Sequence, residues 1–287
     1  IEQLLIASGS VPDVNFETAL YHVRPDIAQQ TSEIEDFYIP SFSSRTIVYK
    51  GLMTGSQLGS FYPDLSDADF ESALAVFHQR YSTNTFPNWA LAQPFRFLAH
   101  NGEINTISGN RRWMRAREIA WRSGSQECSG EFHSLIWNKG SDSASLDNAL
   151  ELSVRSGRDV GESVMMLIPE AYENAHDMDP DLRAFYDHAA SLTEPWDGPA
   201  AIAFTDGKIV GAALDRNGLR PLRYASTVDG RVIVASEAGV IKLPLESLNR
   251  KGRLGPGQMI AVDTELGVLH TNDEIKRLAI EPGNRFA

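Results

Sequence analysis

Two Asp-Gly dipeptides, at 206–207 and 229–230, constrain the fold of this chain more than any other feature. Each stands between short β-rich runs, in "GPAAIAFTDGKIVGAALD" and "LRYASTVDGRVIVASEAG". Asp-Gly readily adopts the positive φ angles of a tight two-stranded turn, so each stretch predicts a β-hairpin. "GQMIAVDTELGVLHT" predicts a further pair of strands at 258–262 and 267–270. Strands grouped in hairpins, apart from the helices, favour an α+β chain over a doubly wound parallel sheet.

Ahead of the hairpins the pattern is mixed. An amphipathic stretch covers about 13–36, and a helix is predicted from Thr106 or Ser108 to about Arg122. "SLDNALELSVRSG" (145–157) has helical spacing, with Ser145 as candidate cap and Gly157 as stop, and 180–192 reads as another helix. Strands are expected at 45–52, 71–80 and 94–100, with a loop around Pro87. No Pro/Gly/Ser-rich linker divides the 287 residues, and with 42% apolar residues one domain can bury a sizeable core.

Charge and composition narrow the function. The 26 basic against 38 acidic residues leave a formal charge of -12, which repels nucleic acid and anionic membranes, so neither is expected as a partner. No apolar run approaches the length that spans a bilayer. The lone cysteine, Cys128 in "SQECSGE", can form neither an internal disulfide nor an all-cysteine metal site, and no metal ligand set is expected. Neither G-x-G-x-x-G nor a Walker A sequence argues for a nucleotide.

Three polar groups follow apolar runs: Arg80 in "HQRYST", Asn101-Gly102 in "LAHNGE" and Asp142 in "GSDSASLD". Strand ends and adjoining loops are where a rigid scaffold presents chemistry. An arginine fork takes a carboxylate and an aspartate takes an ammonium, so Arg80 and Asp142 together would bracket an α-amino acid. An asparagine amide and a neighbouring backbone N–H can converge on one oxygen, and glycine lets that backbone approach closely. Each group also has a plain structural alternative: Asn-Gly as a turn, Arg80 as an ion-pair residue, Asp142 as a helix cap. His78 and His100 read as scaffold histidines, and the basic face of "RRWMRARE" as a solvated surface. Spacing alone reaches an α+β domain with a candidate amino-acid site.

Longer motifs carry a resemblance. "HQRYSTNTFPNWALAQPFRFLAHNGEINTISGN" (78–110), "SDSASLD", "EPWDGPAAIAFTDG", "DRNGLRPLRY" and "GRLGPGQMIAVD" resemble, in order, the glutaminase domain of glutamate synthase large subunits. Such domains are class II glutamine amidotransferases of the N-terminal-nucleophile hydrolase fold. The resemblance implies an αββα four-layer sandwich of two antiparallel sheets. It also implies hydrolysis of the glutamine side-chain amide, with the ammonia used to aminate 2-oxoglutarate. It assigns the glutamine carboxylate to Arg80 with Thr83 lining the pocket, the ammonium to Asp142, and the oxyanion hole to Asn101 and Gly102.

In that family the nucleophile is a cysteine at the mature amino terminus, whereas residue 1 here is isoleucine. The chain is therefore expected to be a partial glutamine amidotransferase type 2 domain over 1–287, lacking its N-terminal strands and the nucleophile, inactive alone, and with Cys128 incidental. The resemblance places FMN and an iron-sulfur cluster in the parent enzyme and neither in this segment. The implied partners are L-glutamine, the remaining domains of the same polypeptide, including an FMN barrel domain, and a small reductase subunit, in the cytoplasm or plastid stroma. Two alternatives remain at this stage: a non-catalytic glutamine-binding or scaffold module, and the glutaminase of another enzyme such as amidophosphoribosyltransferase, with which "DRNGLRPLRY" is shared.

Overall fold

The computed structural model describes residues 3–81, 86–124, 135–137 and 140–281. Both Asp-Gly hairpins form. Asp206-Gly207 turns β2 (Ala200–Thr205) into β3 (Ile209–Leu214), and Asp229-Gly230 turns β4 (Arg223–Thr227) into β5 (Val232–Ala235). In the first turn Asp206 Oδ1 accepts from the N–H groups of Lys208 and Ile209 at 2.9 and 2.8 Å, and Gly207 takes φ 95°. The aspartate closes the turn and the glycine tolerates its backbone.

Two antiparallel sheets result. One has the order β1-β2-β3-β7-β8, with β1 at Leu98–Gly102, β7 at Met259–Asp263 and β8 at Val268–His270. The other has the order β5-β4-β6, with β6 at Leu248–Arg253. Strand alternation sorts the side chains. Leu98, Ile202, Phe204 and Ile209 pack with residues of α4 (Asp142–Arg155), α5 (Val160–Leu167), α6 (Pro180–Leu192) and α7 (Asn272–Ile280). Ala201, Ala212, Leu214 and Ile260 face the other way and meet Leu222, Leu254, Tyr224 and Val234, which joins the two sheets. The α+β class and the pair of antiparallel sheets expected from the sequence are present.

Other expectations needed correction. The amphipathic stretch near the start is α1 (Asp13–Gln30), and α2 (Gly55–Phe61) follows it. Segments 45–52 and 71–80 are not strands. β-rich composition marks a surface that suits a pleated sheet, but a strand also needs a neighbour to take its backbone groups. Of 94–100, only 98–100 lies in β1, because the Phe95 N–H folds back onto the Leu98 carbonyl at 2.8 Å. The next helix, α3, spans Ile107–Gly124 as anticipated. α4 starts three residues earlier than expected, capped by Ser141 and not Ser145, while Gly157 at φ 91° does follow its end. The α6 bounds match the expected 180–192.

Candidate functional site

Among the described residues β1 is an edge strand, and alternate N–H groups along it have no sheet partner there. Side chains from elsewhere accept them. The Leu98 N–H donates to Asp147 Oδ1 at 3.2 Å and the His100 N–H to Gln93 Oε1 at 2.6 Å. Past the strand end, the Ile104 N–H donates to Asp142 Oδ2 at 2.8 Å. Gly102 belongs to the same outward series. Its ladder partner Ala200 turns away, donating to Asp215 Oδ1 at 2.9 Å and accepting from the Asp215 N–H at 3.0 Å. Among the described residues, the Gly102 N–H is the donor on this edge that no group accepts.

Glycine at 102 is required by close approach. A Cβ there would lie 1.7 Å from the Pro199 carbonyl oxygen, and φ is 148°. Asn101, beside it, is exposed. Its register with Ala201 puts its side chain on the face turned to the smaller sheet, whereas His100, paired with Ile202, faces the helices.

On that helical face the N-terminus of α4 meets β1. The Ser141 side chain accepts from the Ala144 N–H at 3.1 Å, so Asp142 is the first residue of the helix and not its cap. There the positive end of the helix dipole favours a carboxylate. Arg111 of α3 secures this junction, donating to the carbonyls of Gly140 and Ser141 at 2.6 and 3.1 Å and to Ser145 Oγ at 3.0 Å. The expected solvated basic face is therefore partly structural, and Arg117 on the same helix pairs with Glu194. One Asp142 oxygen holds Ile104, and the other receives only a long 3.4 Å contact from Ser143 Oγ.

His100 packs into the interior. It is 2% exposed, with Nδ1 2.8 Å from Ser143 Oγ and 4.0 Å from Asp142 Oδ2. Burial pushes its pKa down; Asp142 opposes this, while the charges of His78 and Arg220 add to it. Burial thus favours the neutral imidazole. His78, whose pKa burial also lowers, lies against the backbone of both Arg80 and His100.

The structure accordingly brings Asn101, Gly102 and Asp142 to one end of β1. Arg80 is linked to them only through the His78 ring; it is exposed, and no described group pairs with its guanidinium. Thr83 and Cys128 lie outside the described residues. Gln93, Ser143 and Arg111 were not anticipated. Only the position of Gln93 between an apolar turn and Pro94 sets it apart in sequence, and that pattern names no partner. Asp215, in "DRNG", is structural: besides Ala200 it accepts from the Asn217 and Gly218 N–H groups at 2.8 and 3.2 Å.

Residues 1–282 match the family model described as Glutamine amidotransferases class-II. Glutamate synthase [NADH] of Saccharomyces cerevisiae is 50% identical over 266 residues, 92% of this chain and 12% of its own length. The large chain of Glutamate synthase [NADPH] of Azospirillum brasilense is 48% identical over 96% of this chain and 18% of its own. The chloroplastic Ferredoxin-dependent glutamate synthase 2 of Arabidopsis thaliana is 48% identical over 95% and 17%. The chain thus spans less than a fifth of each of these relatives. Among solved structures, a Bacillus subtilis glutamine phosphoribosylpyrophosphate amidotransferase aligns with TM-score 0.38 at 18% identity, over 68% of this chain and 33% of its own, too distant to place a residue.

Proposed function

Because the chain belongs to the class-II glutamine amidotransferases, we propose that it forms part of the glutaminase domain of a glutamate synthase. In this reading residues 1–287 help to hydrolyse the glutamine side-chain amide to glutamate and ammonia. The ammonia is then used elsewhere in the polypeptide to aminate 2-oxoglutarate. Three glutamate synthases near 50% identity over more than nine-tenths of the chain support this parentage.

The observation that carries the reading is the unaccepted Gly102 N–H. The neighbouring donors on that edge at Leu98, His100 and Ile104 are occupied, so an oxygen arriving there finds a donor already directed outward. Asn101 supplies the second donor for the oxyanion formed when a thiolate adds to the amide carbon. Asp142, with one oxygen only weakly engaged, takes the α-ammonium. Arg80 takes the carboxylate, with Thr83 beside it. The attacking cysteine in this reading is the family's terminal one and not Cys128.

A flavin and an iron-sulfur cluster belong, in this reading, to the remaining domains. A cluster is held by several cysteine thiolates, and this segment carries a single cysteine. The partners are L-glutamine, the FMN-bearing domain and a small reductase subunit, in the cytoplasm or, as the chloroplastic relative suggests, the plastid stroma. No helix among the described residues is long and apolar enough to cross a membrane.

The test is ammonia release from glutamine by the full-length protein. Asn101→Ala is expected to lower kcat by about 100- to 1,000-fold with the fold intact. Asp142→Ala is expected to act mainly by raising KM. An Asn101→Ala enzyme with undiminished kcat would remove the oxyanion assignment.

A further inference from the structure

We propose that Gln93 is a positioning residue for the oxyanion hole, its carboxamide meeting the outer edge of β1 as a neighbouring strand would. The inference rests on the glutaminase reading and adds a residue to it. Both polar atoms of the Gln93 side chain engage a single residue: Oε1 accepts from the His100 N–H at 2.6 Å, and Nε2 donates to the His100 carbonyl at 2.9 Å. That donor and acceptor pair is what a neighbouring antiparallel strand would present at a hydrogen-bonded position.

The His100 carbonyl and the Asn101 N–H belong to one rigid peptide plane. β2 holds Asn101 from the inner side, in register with Ala201, and Gln93 holds His100 from the outer side. The plane from which Asn101 and then Gly102 extend is therefore fixed from both edges. Without the outer clamp it could rock, because Gly102 imposes little backbone resistance of its own. Displacements of this kind, well short of unfolding, are costly where donors must meet an oxygen at hydrogen-bond distance.

Gln93 is itself anchored. The preceding turn, Trp89–Leu91, is pinned by the buried Lys50 Nζ, which donates to the carbonyls of Ala90 and Ala92 at 2.8 and 3.0 Å. The Asn88 side chain also accepts from the Ala90 N–H at 2.9 Å. Among the described residues, the other side chains that accept along this edge, Asp147 and Asp142, are engaged at Leu98 and Ile104.

The experiment measures glutaminase kcat, KM and pH profile in the full-length protein for wild type, Gln93→Met and Gln93→Glu. The Met variant keeps the length of the side chain and loses both hydrogen bonds. Its kcat is expected to fall about 10- to 100-fold, with KM for glutamine nearly unchanged. In the Glu variant an ionised carboxylate faces the His100 carbonyl and repels it, whereas the protonated acid restores one donor and one acceptor. Its activity relative to wild type is therefore expected to recover as pH falls from about 8 towards about 5, a change that loss of packing alone would not produce.

Wild-type-like kcat in both variants, or a Glu profile parallel to that of wild type, overturns the inference while leaving the glutaminase reading intact. A wild-type protein that releases no ammonia from glutamine overturns that reading and this inference with it. Should the Met variant not fold, the Glu-to-wild-type activity ratio across pH decides alone.

Discussion

The stretch before residue 90 and the stretch after 94 are held by different forces. After 94 a continuous apolar core runs from Phe95 to Ile275, with Trp196 and Phe204 almost wholly buried. Before 90 large apolar side chains stand in solvent, among them Leu5 at 100% and Phe77 at 65% exposure. What binds that stretch to the rest is largely polar. Arg24 grips Glu151 through two hydrogen bonds of 2.6 and 2.7 Å, Arg155 pairs with Glu17, and Lys50 holds the carbonyls of Ala90 and Ala92. Hydrophobic burial is additive and directionless, whereas buried ion pairs specify one geometry and stabilise less than their contacts suggest. The sheet and its helices should therefore behave as the cooperative unit, with the first ninety residues docked on it by a few clamps.

Four substitutions or conditions would break or sharpen this contrast. The largest effect is expected from Phe204→Ala, a cavity at the centre of the core costing about 3 to 5 kcal/mol. Denaturant unfolding would measure it, and a loss below about 1 kcal/mol would mean that the core is not where cohesion resides. Next, Arg24→Ala removes charged hydrogen bonds worth about 2 kcal/mol. It should expose the first ninety residues to limited proteolysis while the transition of the remainder holds. A uniform shift of one transition would erase the distinction between the two stretches.

Acid should probe the same clamp. Burial pushes the Glu151 carboxyl up, but Arg96 and Arg24 more than reverse this and hold it at about 2. A carboxyl depressed in the folded state contributes stability that is present above its ordinary pKa near 4.5 and is lost as pH falls from there towards about 2. Stability should decline by roughly 1 kcal/mol per pH unit across that window, and Glu151→Gln should flatten the slope. The smallest effect is expected of Lys208→Ala, which breaks a solvent-exposed pair with Glu265 on the rim of the sheet. A change under about 1 kcal/mol is expected by thermal unfolding.

Much of the second stretch was legible in the residues. Asp206-Gly207 and Asp229-Gly230 announce their hairpins because a turn's chemistry lies within its own four residues. The start of α6 follows from Asp179 and Pro180 for the same reason. Legibility failed at 45–52 and 71–80, where β-branched and apolar letters promised strands that found no ladder. It failed also at Gln93, whose partner His100 is close in sequence but is met only after the chain has turned back on itself. Asn101, Gly102 and Asp142 were named from their chemistry and family pattern, but their proximity was not derivable from spacing.

By itself, then, the sequence determined the hairpins, the α+β class and the residue types able to hold an amino acid and an oxyanion. Those properties depend on local backbone preference and on functional groups. Only the tertiary structure decided which N–H groups on the edge of β1 are taken and which one is left. That outcome depends on Asp142 and Asp147 arriving from some forty to fifty positions away. No local rule can fix the partner of a hydrogen bond whose two ends meet only when separate segments pack.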